Sequence, residues 1–450
     1  MRLKFVLACM FLSIGLFAQA AYAGAGVSSN PGVLARLAVS ENPAEAGPAL
    51  AALRDQGPAG LAVLFQVYGS DLSKYAAEDP AKRAADPGWA RLTAAFDAVS
   101  QQRDSYASGL YWYTDFDKAK AAARAQGKPI LSLRLLGNLT DEFSCANSRF
   151  FRAVLYPNAE VSAFLRERFI LHWKSVRPAP RVTIDFGDGR KLERTVTGNS
   201  IHYVLDSDGR PIDAIPGLYG PRAFLRELGQ ADALFGKISS RTVDRNTAIR
   251  EFHLAARRRA VSDWQTDIRR TGVTMKADDS PAETDGSPKP AAQAGAVAIT
   301  KSTVESKTVR LIGTGASALA EPAAAAGTAA AESTSWQKIA GLHSDEVQLD
   351  AASIALIRSQ FRTPQITEDA LKRVLANLRT NLALDTVRNR YLLHSRIHQW
   401  FADGLVAADV DALNELVYAR LFETPSSDPW LGLFSPDTYS GLVDGGVGRR

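Results

Sequence analysis

The stretch from Lys128 to Phe151, KPILSLRLLGNLTDEFSCANSRFF, constrains the fold more than any other part of the chain. Ile130 to Leu136 is a mainly apolar run of strand length. It sits between Gly127-Lys128-Pro129 and Gly137, which predicts a buried strand. A polar loop follows, and then a helix start that carries Cys145. A strand that turns through a short loop into a helix is a unit of α/β architecture, and here it delivers a thiol to the helix N-terminus.

That thiol is set apart by the cysteine count. Residues 1–23 read as an export signal, with Arg2 and Lys4 at the charged start, Phe5 to Phe17 as the apolar segment and Ala21-Tyr22-Ala23 as the cleavage site. Of the 2 cysteines, Cys9 lies inside this signal, so the exported chain is expected to keep Cys145 alone. No intramolecular disulfide is then available, and packing alone must hold the fold. No later segment reaches the length of a membrane span. The 450 residues exceed one ordinary core, and 46% hydrophobic with 22% charged residues is globular usage. A net charge of +5 is small for this length. The clusters Arg257-Arg258-Arg259 and Arg269-Arg270 lack interleaved aromatics and read as solvated helix faces, so no nucleic-acid partner is expected.

In chain order, residues 24–110 carry apolar residues at helical spacing, with Pro48, Pro58 and Pro87 near helix starts. Phe116 to Ala125 predicts a helix capped by Thr114 or Asp115. After Cys145 come helix, break and helix, then a strand over Phe169 to Val176. Val182 to Ile184 and Leu192 to Val196 flank Gly187-Asp188-Gly189 and predict a hairpin. Ile201 to Leu205 predicts a strand, Pro211 to Ile215 an edge strand and Pro221 to Leu228 a helix start. Helix continues over 233–275. Residues 276–334 turn to Ala, Pro, Gly, Ser and Thr and are expected to be a flexible linker, with at most a short strand in VESKTVRLIG. Residues 335–450 are expected to form a helical C-terminal domain, with Asp385 and Asp409 as caps.

Residues 112–228 resemble the thioredoxin superfamily, in its exported branch. The resemblance is carried by Trp112, DKAKAAARAQGKPILSL, the cysteine at the next helix start, RERFILHWKSV, and YVLDSDGRPID followed by Gly217. It covers about a quarter of the chain. The fold class implied is an α/β thioredoxin-like central domain, residues 111–232, between mainly α-helical N-terminal and C-terminal regions. Two departures from the family pattern stand out. The paired cysteines of the family fall at Cys145 and Ser148, and its cis-proline position falls at Ser200.

The resemblance makes Cys145 the expected nucleophile, with Ser148 one turn on as a hydrogen-bond donor to its thiolate. Asn147, Arg149, Asn199 and Ser200 are expected around the same pocket, where an extended peptide would bind. His202 follows on a strand and offers a Cys/His pair. The expected activity is monothiol mixed-disulfide or redox-sensing chemistry with a protein or small thiol. The alternative is a redox-inactive module for protein interaction. No cofactor is expected. His394 and His398, spaced i and i+4, share a helix face that suits Zn²⁺ or haem iron, yet the sequence shows no third ligand, and a polar face beside Trp400 is the plainer account.

Overall fold

A computed structural model describes residues 30–274, 289, 291–312, 333–361, 365–404, 409–434, 442 and 447. The expected export signal lies outside them. The architecture is mixed α/β and mostly helical.

Five helices open the described chain: α1 (Pro31–Ala38), α2 (Pro43–Asp55), α3 (Pro58–Ala77), α4 (Pro80–Ala85) and α5 (Pro87–Ser100). Each begins with proline, whose fixed φ suits a first turn and whose missing N–H is no loss there. Pro43 takes that position in α2, so Pro48 lies inside the helix rather than at its start. These helices close a core of their own around Leu53, Leu61, Leu64, Leu92 and Phe96.

The helix α6 (Phe116–Gln126), capped by Asp115, leads into β1 (Ile130–Leu136). Then come α7 (Ala146–Phe150), a π-helical turn (Phe151–Leu155), α8 (Ala159–Arg168) and β2 (Ile170–Arg177). A separate exposed hairpin, β3 (Arg181–Asp185) with β4 (Lys191–Thr195), precedes β5 (Ile201–Leu205) and β6 (Pro211–Pro216). The four-stranded sheet runs β2-β1-β5-β6. β1 and β2 are parallel, and β5 is antiparallel to both β1 and β6. β1, β5 and β6 are buried at every residue, which is why their sequences run apolar without clean alternation.

The helices α9 (Pro221–Ser239) and α10 (Arg245–Thr271) follow the sheet. The free edge of β6 is covered by α10, with Arg245 donating to the Pro211 carbonyl and His253 to that of Ile212. Within the span expected to be a linker, residues 291–312 form α11 (Ala291–Gly295) and α12 (Ile299–Ile312) instead. VESKTVRLIG therefore contributes to a helix, not a strand. The fully buried carboxylate of Asp385 holds α12 in place, accepting from the Ile299 N–H at 2.5 Å and the Thr300 N–H at 2.9 Å. A distant residue thus supplies the cap that the local sequence lacks.

A helix over 333–341, here α13, is followed by α14 (Ala351–Ser359), α15 (Glu368–Arg388), a second π-helical turn (Asn389–His394), α16 (Ser395–Ala402) and α17 (Val410–Arg420). α15 runs straight through Asp385 into the π turn, so Asp385 caps α12 rather than a new helix; Asp409 does cap α17. Ile339, Leu382, Ile397, Val417 and Phe422 join the sheet in one continuous apolar core. The boundary expected near residue 335 therefore does not divide the core. Among the described residues no helix is long and apolar enough to cross a membrane.

Candidate functional site

Cys145 precedes α7, and its N–H donates to the Leu136 carbonyl at the end of β1 at 3.0 Å. Its side chain is fully buried. The sulfur lies 2.9 Å from Ser200 Oγ and 3.6 Å from Ser148 Oγ. Ser148 Oγ is also 2.8 Å from the Cys145 carbonyl oxygen, which can only accept. Ser144 Oγ is closer still, 2.7 Å from Ser148 Oγ, so the single Ser148 proton has nearer acceptors than the sulfur.

The other residues expected around the thiol do gather there. Asn147 Nδ2 donates to Asn199 Oδ1 at 3.4 Å, and the Asn199 carbonyl accepts from Tyr418 Oη at 2.6 Å. Arg149 is half-buried, and burial lowers its pKa against the opposing pull of Cys145 and Glu305. Ahead of Ser200, Thr197 and Gly198 both take left-handed backbone angles, φ of 60° and 76°. A Cβ on Gly198 would stand 2.4 Å from Leu136 Cδ2, so only glycine fits. A β-branched residue at positive φ is strained, and Thr197 is held there by its N–H bond to Glu305 Oε2 at 2.9 Å. Glu305 belongs to α12, which packs against α7 and β4. The loop where an extended peptide was expected to bind is thus occupied by the chain's own helix.

Two buried charges of α12 face this loop. Lys301 Nζ lies 3.8 Å from Glu305 Oε2, and both side chains are sealed from solvent. Burial pushes the Glu305 carboxyl up to about 7, opposed by Lys301 and the Thr197 N–H.

His202 does not join the thiol. Its Nε2 lies 2.8 Å from Tyr156 Oη, its ring packs on Phe151 and Phe224, and burial lowers its pKa to about 3. It is a neutral core histidine. His172 is likewise buried, with Nδ1 2.8 Å from Ser132 Oγ.

A second cluster lies at the other end of the sheet. Asp213 of β6, His253 of α10, and His394 and His398 from the second π turn and α16 are all buried. Sequence reasoning found His394 and His398 by their spacing but missed Asp213 and His253, which lie 185 and 145 residues before His398. Neither carries a local signal; only the packing of α10 across the sheet edge brings them in. Beside this cluster is a cavity of about 380 Å³, whose wall includes Arg226, Glu346 and His343. There Glu346 accepts from Arg226 and Arg390, and His343 Nε2 donates to Asp267 Oδ2 at 2.7 Å.

No family model, curated protein or solved structure matches the chain.

Proposed function

We propose that the chain is an exported, thioredoxin-like protein-interaction module in which Cys145 is a sealed structural thiol rather than a nucleophile. The fold reading is supported by the strand order β2-β1-β5-β6 with β5 antiparallel, and by a cysteine at the helix start after β1 opposite the loop before β5. The observation that carries the functional reading is the complete burial of Cys145, with α12 of the same chain seated over the adjoining loop. A thiol without solvent contact cannot meet a partner's disulfide, and among the described residues no second cysteine is present to resolve one. Contact surface remains outside, as in Phe186 at the hairpin tip and Trp430, both about half exposed.

One contact favours a second reading. Ser200 Oγ at 2.9 Å can donate to the sulfur, so displacement of α12 would uncover a thiol with a hydrogen-bond donor in place and restore the monothiol chemistry. Iodoacetamide labelling of the native protein separates the two. The sealed-thiol reading expects modification of Cys145 only in denaturant. Stoichiometric labelling of the folded chain would overturn it in favour of the monothiol.

A further inference from the structure

The cluster at the edge of β6 brings imidazole nitrogens and a carboxylate to one buried place. His253 Nε2 lies 2.9 Å from the Ile212 carbonyl oxygen, which can only accept, so the His253 proton sits on Nε2 and Nδ1 presents a lone pair. That lone pair points at His398 Nδ1, 2.8 Å away. One ligand atom each from Asp213, His253 and His398 lie within 4.8 Å of one another. His394 Nε2, 3.2 Å from Asp213 Oδ1, completes the wall.

We infer that Asp213, His253 and His398 form a binding site for a divalent first-row transition metal ion, of the zinc or ferrous class. Two imidazoles and one carboxylate are a donor set suited to both ions. Three features beyond the donor set support this. The Ile212 carbonyl fixes the ring orientation and tautomer of His253, the second-layer hydrogen bond that metal-bound histidines usually make. Asp213 is itself held in place, its carboxylate 3.2 Å from His394 Nε2 and accepting from the Ala214 N–H at 2.8 Å, as metal-ligating carboxylates are by their own hydrogen bonds. The cavity beside the cluster has His394 and His398 in its wall, which gives an ion a route in and leaves room for a further ligand.

Metal–nitrogen bonds of about 2.0–2.1 Å at a tetrahedral angle place two nitrogens roughly 3.3 Å apart, so the His253 and His398 rings need to part by about 0.5 Å. The proton now between the two Nδ1 atoms leaves when the ion takes its place, and the charge of Asp213 passes from His394 to the metal.

The test uses the full-length chain, stripped with a chelator and titrated with Zn²⁺ by calorimetry and with Co²⁺ by visible absorption. About one ion per chain is expected, with cobalt d–d bands and no near-ultraviolet charge-transfer band of a thiolate ligand. His253→Gln and His398→Gln should each weaken binding on the order of 100-fold. His343→Gln, across the same cavity, should leave it unchanged. No uptake of either ion, unchanged affinity in both ligand variants, or a cobalt–thiolate band would each overturn the proposal. If the variants do not fold, imidazole NMR of the wild-type chain decides: Co²⁺ must shift the His253 and His398 resonances, and unmoved resonances refute the site.

Discussion

The thiol site and the histidine cluster sit at different ends of one sheet and differ in the same property twice. The residues around Cys145 are mostly neighbours in sequence, Ser144 to Arg149 and Thr197 to Ser200, yet the chain folds α12 and Tyr418 over them and shuts the site. Asp213, His253 and His398 are far apart in sequence, yet they converge beside a cavity. The comparison teaches that a compact motif marks where a fold places a group, while the packing of remote segments decides whether that group can act.

The largest expected effect lies at the histidine end. Asp213→Ala removes the acceptor of the Ala214 N–H and the partner of His394 inside the core, and should cost about 3 kcal/mol in denaturant unfolding. Cys145→Ala, which loses a small apolar atom group, should cost only about 1 kcal/mol. Equal costs would break the contrast between a charged cluster and an inert thiol.

The next effect is pH-dependent. Burial lowers the pKa of His343, but its bonds to Asp267 and Glu346 outweigh this and raise it to about 9. Folding therefore favours the protonated ring. The stabilisation is complete below about pH 6.5, the ordinary histidine value, and is lost as pH rises through about 9. Thermal melts of wild type and His343→Gln should diverge below pH 6.5 by about 2 kcal/mol and converge toward pH 9.

The smallest effect concerns α12. Because the Glu305 carboxyl is pushed up to about 7, its contribution is present below about pH 4.3 and fades as pH rises through 7. Hydrogen exchange over 299–309, corrected for intrinsic rates, should lose protection between pH 5 and 8. Glu305→Gln, which keeps an acceptor for the Thr197 N–H, should flatten that dependence. A flat wild-type profile would show that α12 is held by its Asp385 cap alone.

What was legible in the sequence follows the same division. Ile130 to Leu136 and Ile201 to Leu205 match β1 and β5 residue for residue, because strands buried on both faces read as mainly apolar runs even with Ser132, Arg134 and His202 among them. The hairpin was marked by Gly187 and Gly189, both at positive φ. α12 was hidden because ITKSTVESKTV is polar in composition. It is held by a cap donated by Asp385 and by the bond from the Thr197 N–H to Glu305, and no local window contains either partner. Asp385 was itself misread as a helix start because its carboxylate serves another helix. The gathering of Asn147, Asn199 and Ser200 near Cys145 was foreseeable from the resemblance; the separation of His202 depended on the partner Tyr156.

The π turn over Asn389–His394 makes the chain sensitive to its own length. At its first residue, Asn389 Nδ2 donates to the Leu218 carbonyl; downstream of it, His398 meets His253. One residue of an α-helix advances the azimuth by about 100°. Deleting any single residue between Asn389 and His394 would convert the wide turn to ordinary helix and swing α16 by about that angle relative to α15. Either the loop at Leu218 or the imidazole of His398 would then face the wrong way. The bulge therefore acts as a phase adjuster between two halves of one rod, and a one-residue insertion or deletion in that hexapeptide should disturb the fold more than a substitution there.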